Sequence, residues 1–145
     1  MKHIEPAPVL TLSKLAIAQH QLERALLLFL DEGDYVCSIT LAGASEEILG
    51  KLLEREGKEP ALASFVETCL QAGRIIYAEE WAGKRFVTMA NHFRDGLKHI
   101  TNGDPVSVPR EAAIEILDRA IDNLWSLTGT ESAVVRRFMV AAHDA

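Results

Sequence analysis

The chain has 145 residues, 48% of them hydrophobic and 25% charged, which allows a real buried core and excludes a disordered, charge-dominated chain. Its formal net charge of −6 excludes a protein that coats polyanions through an overall positive field, so any nucleic-acid contact would need a local basic site.

The pattern predicts helices almost throughout. Residues 1–10, with Pro6 and Pro8, read as a loose lead-in to one helical domain spanning 1–145. Thr11 or Ser13 can cap a first helix to about Asp31, with Leu15, Ala18, Leu22, Ala25, Leu26 and Phe29 at helical spacing. Asp34 can cap a second helix that buries Ile39, Ala42, Ile48, Leu49 and Leu52 and stops at Gly57. After Pro60 a third helix covers about Leu62 to Glu80, with Phe65, Cys69, Ala72, Ile76 and Tyr77 on one face. A fourth is expected from about Lys84 to Thr101, its apolar stripe being Phe86, Met89, Ala90, Phe93, Leu97 and Ile100. Ser107 is the expected cap of a fifth helix with Pro109 in its first turn and Ile114, Leu117, Ile121, Leu124 and Trp125 inward; Gly129 closes it. Thr130-Glu131 begins a short last helix through Val134, Val135 and Phe138. The expected fold is all-α, an antiparallel bundle of about five to six helices.

The N-terminus lacks the apolar run of a signal peptide, and the longest apolar stretch, Ala25 to Leu30, is too short for a bilayer span. Cys37 and Cys69 lie in apolar helical patterns without metal-ligand spacing, so a cytoplasmic chain with two reduced core thiols is expected, away from membranes.

The chemistry concentrates in Asn91-His92-Phe93-Arg94-Asp95-Gly96-Leu97-Lys98-His99. Arg94 offers a planar fork of donors for a phosphate, and His99 can move a proton near neutral pH. Asp95, four residues before His99, can hold one imidazole nitrogen and set its tautomer. On an ideal helix, at roughly 100° per residue, Arg94 and His99 do not converge. Either Gly96 loosens this turn, or a second copy of helix four from another subunit completes the site. His92, Asp95 and His99 share a stripe but lack the fourth ligand a structural metal site wants, so no metal and no other cofactor is expected. Glu46-Glu47 reads as a rim, and Trp81 and Trp125 as core or dimer-interface anchors.

Arg94-Asp95, followed after three residues by His99, resembles the signature of the HEPN domains, helical proteins named for higher eukaryotes and prokaryotes nucleotide-binding. The segment Leu41-Ala42-Gly43-Ala44-Ser45-Glu46-Glu47-Ile48-Leu49-Gly50-Lys51-Leu52-Leu53 is similar to the second helix common in that family. The resemblance covers the first four helices and implies an HEPN-like all-α homodimer, joined through helix four. In many members it also implies metal-independent RNA cleavage of a toxin or defence type, or regulated binding of nucleotides and RNA. On that likeness Arg94 stabilises the phosphorane charge, His99 is general acid and base, and Asp95 positions the pair. Asn91, Lys98 and Glu47 would serve binding. The alternative expectation is a non-catalytic dimeric adaptor or nucleotide-binding regulator with a protein partner, favoured by the acidic charge and by Gly96 in mid-motif.

Overall fold

The Ser13 hydroxyl accepts the Ala16 N–H at 3.0 Å and so opens α1 (Lys14–Leu27) in the computed structural model, which describes Ile4 and residues 6–144. Met1 to His3, the start of the expected lead-in, and Glu5 lie outside the described residues. Residues 6–13 have no regular structure, and Val9 and Leu10 are exposed. A π-helical turn, Leu28–Glu32, follows α1 and ends at Gly33, whose φ of 60° suits a residue without a Cβ. Asp34 then caps α2 (Tyr35–Arg55), its carboxylate accepting the Cys37 N–H at 3.0 Å. Gly57, at φ 71°, closes α2: its N–H bonds the Glu54 carbonyl and that of Lys58 bonds the Leu53 carbonyl, satisfying two otherwise orphaned carbonyls.

α1 and α2 are antiparallel and close. Small residues line the seam, and two buried hydroxyls cross it, Ser38 Oγ to the Ala25 carbonyl at 2.9 Å and Ser45 Oγ to the Ala18 carbonyl at 2.7 Å. The same bonds satisfy the hydroxyls, so neither burial leaves a polar group unpaired. α3 (Ala61–Tyr77) and α4 (Gly83–Ala90) form a hairpin in which Gly83 meets Val66, and a short α5 (His92–Gly96) returns the chain along α2. α6 (Arg110–Thr128) therefore starts again at the N-terminal end of α2 and runs parallel to it: Ile116 lies beside Gly43, Arg119 beside Glu46, and Asn123 beside Gly50. α7 (Ala133–His143), capped by Ser132, inserts Phe138, edge-on to Phe29 at 5.4 Å, among Leu22, Leu26, Ile39 and Leu117. No strand occurs among the described residues, and none of their helices is long and apolar enough to cross a membrane.

Several expectations are corrected. The helix expected from Lys84 to Thr101 breaks at Asn91 and stops at Gly96; residues 100–102 form only a 3₁₀ turn. Its stripe splits with it: Phe86 is buried and Phe93 and Leu97 lean on the core, but Met89 is 56% and Ile100 83% exposed. Of the α3 face, Phe65, Ile76 and Tyr77 are exposed and only Gly73 of that helix is buried. Ser107 does not cap α6. Pro109, extended at ψ 153°, is itself the N-cap, and helical geometry begins at Arg110. The α6 core face turns toward Ala113, Ile116, Leu117 and Ala120, leaving Trp125 54% exposed. Cys37 is exposed rather than a core thiol, while Cys69 is half-buried.

Candidate functional site

The α2 stripe Ile39, Ala42, Leu49 and Leu53 is apolar except at Glu46, which is 4% exposed. A buried carboxylate needs a partner, and α6 supplies one: Arg119 Nη2 donates to Glu46 Oε2 at 3.2 Å. The same guanidinium donates to Asn91 Oδ1 at 3.2 Å and to the Ala90 carbonyl at 3.1 Å. One arginine thus fixes the end of α4 and the break that follows it. Its Nε is buried without a partner among the described residues. One turn further along α6, Asn123 Nδ2 donates to the Glu46 carbonyl at 3.3 Å, and Asn123 Oδ1 accepts the Ala61 N–H at 2.8 Å. That second bond supplies the start of α3 with the cap that Pro60 lacks. Arg119 and Asn123 together hold both roots of the α3–α4 hairpin.

Between α2 and this hairpin lies a cleft of about 710 Å³. Glu46, Asn91 and Asn123 line its inner end, where the buried network surfaces, and Arg94 lines it as well. The aliphatic stem of Arg94 crosses Gly43 so closely that a Cβ there would stand 2.7 Å from Arg94 Cδ. The Arg94 side chain is 23% exposed, and its Nε reaches Asp95 Oδ1 at 3.4 Å. Its stem is therefore seated while part of the side chain stays accessible. Glu47 and Lys51 also line the cleft from α2.

The structure brings Arg94, Asn91 and Glu47 to this one cleft. Asp95 stands beside Arg94 but does not line it, and its carboxylate turns to Arg94. Lys98 and His99 lie beyond α5, both exposed. The chain leaves helical geometry after Gly96, and His99 is extended, with φ −124° and ψ 121°. The Asp95 carboxylate goes to Arg94 and makes no hydrogen bond to the His99 ring. What joins the two is a backbone bond, His99 N–H to the Asp95 carbonyl at 2.9 Å. The His99 ring makes no hydrogen bond among the described residues. Among those residues no three His, Cys, Asp or Glu side chains converge as ligands for a metal.

Sequence reasoning assigned Glu46 to a rim and passed over Arg119, Asn123 and Gly43. The available signal was polarity on an apolar stripe: Glu46 is in register with Ala42 and Leu49, and Asn123 with Ile116 and Ala120. Comparison with protein-family models, with curated proteins and with solved structures finds no match to this chain.

Proposed function

We propose that this chain is an HEPN-like protein acting on RNA or nucleotides in the cytoplasm, with Arg94 as its phosphate-holding group. The observation that carries this reading is the seating of Arg94: its stem is packed on Gly43 at a large cleft, with Asn91 and Asp95 beside it. A guanidinium already restrained loses less freedom when it grips an anion, and its fork matches two phosphate oxygens. His99, exposed and free of ring partners, is open to a substrate as a proton-transfer group. In that chemistry Arg94 stabilises the phosphorane, His99 moves the proton, Asp95 orients Arg94, and Lys98 adds a phosphate contact. Because Arg94 lines the cleft and His99 lies outside it, the reading includes a homodimer through α4 and α5 in which one copy's His99 serves its neighbour's Arg94.

The test is incubation of total RNA with wild type and His99→Ala in EDTA, alongside thermal melts. Cleavage by wild type alone is expected, with melting temperatures within about two degrees because His99 is a surface residue. RNA left intact by both proteins overturns the nuclease assignment. A second reading, a non-catalytic adaptor or nucleotide-binding regulator, is favoured by the acids of the cleft, Glu47, Glu54, Glu59 and Glu67, which oppose a polyanion. It predicts nucleotide binding that Arg94→Ala weakens, without turnover.

A further inference from the structure

We infer that the cleft between α2 and the α3–α4 hairpin is a docking groove for a basic, amphipathic helical segment of a partner protein. This goes beyond the reading of Arg94 as a phosphate contact and does not depend on it. The groove has an apolar floor, with Pro60, Leu62, Ala63, Val66 and Val87 among its lining residues. Gly50 and Gly83 add no side chain to it. Its walls are acidic. Glu47 and Glu54 stand on α2, Glu59 just before α3 and Glu67 within it, and Lys51 is the basic residue of the α2 wall. Two of these acids are already spoken for, Glu54 by Lys51 at 3.4 Å and Glu67 by Arg74 at 3.5 Å. Glu47 and Glu59, on opposite walls, make no ion pair among the described residues.

That distribution selects the occupant. The acids are dispersed along two helices, and no three converge on one point as a metal ion requires. A small polyamine would match the charge but leave the floor of Leu62, Val66 and Val87 wet. RNA could meet Arg94 at the inner end, but along the rest of the groove its phosphates would face the acids and its backbone would leave the floor uncovered. A helix with an apolar stripe and flanking lysines or arginines matches both, its anchors at i, i+3/i+4 and i+7 against the floor and its cations against Glu47 and Glu59. The exposed acids make the association weaken with salt. Since Arg94 and Asn91 line the same cleft, an occupant reaching that end would cover Arg94.

The experiment is anisotropy titration of a labelled Leu/Lys amphipathic helix of about four turns onto the full chain, with sedimentation velocity on the same samples. A scrambled peptide of equal composition and a Leu/Glu version serve as controls. Saturable binding of the amphipathic peptide alone is expected, weakened at least about tenfold by Glu47→Gln/Glu59→Gln and separately by Val66→Asp, both checked for unchanged melting. The double glutamine variant adds no charge to the floor, so it stands as the test should Val66→Asp fail to fold. Equal binding of the scrambled peptide, displacement by spermine, or wild-type affinity in folded variants overturns the inference. So does a homodimer that excludes the peptide and dissociates on Val66→Asp, because the groove then belongs to a second copy. Loss of RNA cleavage in His99→Ala leaves the result untouched, so this inference and the reading of Arg94 fail separately.

Discussion

The helices α1, α2 and α6 and the hairpin α3–α4 are built from comparably apolar sequence, yet they bury it very differently. The former hide Leu22, Leu26, Ile39, Leu49, Ile116 and Leu117 almost completely, and α7 adds Phe138. In the hairpin Gly73 and Phe86 are buried, while Ile75, Ile76 and Tyr77 at its tip are 82%, 69% and 60% exposed. Helical periodicity says which residues share a face, not whether another element will cover that face. The body is held by packing spread along whole helices. The hairpin is held at its roots by two polar side chains of α6, with Trp81 clamped over Gly73 as its own small core.

The division can be broken most sharply by matched truncations. Phe138→Ala, in the body, should cost about 3–5 kcal/mol of unfolding free energy. Ile76→Ser, at the hairpin tip, should stay within about 0.5 kcal/mol. Denaturant melts of both would decide, and a costly Ile76→Ser would mean that the tip is covered in solution. Next in size, Arg119→Met strands a buried Glu46 and should cost roughly 3–5 kcal/mol, most of it regained by adding Glu46→Met. Faster amide exchange across the hairpin than across α1 should accompany even the milder Arg119→Lys, since the bond to the Ala90 carbonyl anchors one root.

Smaller still is the stability effect of Gly43→Ala. Better helix propensity, worth about 1 kcal/mol, offsets the crowding of the Arg94 stem, which must move, and of Ile116 Cδ1, 3.2 Å from the added Cβ. Melting should therefore change little while nucleotide or RNA response falls, because the seat of Arg94 is gone. Smallest is a reactivity difference on the outer face of α2. The Asp34 carboxylate, by hydrogen bond and charge, pushes the Cys37 thiol above its ordinary pKa. Less thiolate is then present at a given pH, so Cys37 should alkylate more slowly than a free thiol despite its exposure. Asp34→Asn, which keeps a good helix cap, should speed it.

Much of this architecture was legible in order along the chain. Ser13, Asp34, Gly57 and Gly129 mark helix ends because capping is a bond between residues two to six positions apart, complete within the segment that encodes it. The residues Arg94, Asn91 and Glu47 were likewise visible as chemistry-bearing types, and they do reach one cleft. The position of His99 was not legible, because the helix that would have carried it ends at Gly96 and nothing in the apolar spacing announced the stop. Spacing sets Glu46, and not Glu47, in register with Ala42 and Leu49, but it does not say what would pair with a buried acid there: that is settled by where Arg119 lies, 73 positions away. The sequence by itself determined where helices begin and end and which residue types are available for phosphate and proton chemistry, since those are local properties. Tertiary structure alone decided what pairs with the buried acid, where α4 breaks, and that an apolar hairpin stands open over an acid-walled groove. Each of those depends on the free energy of covering a face, and that is fixed only when another helix arrives, or does not.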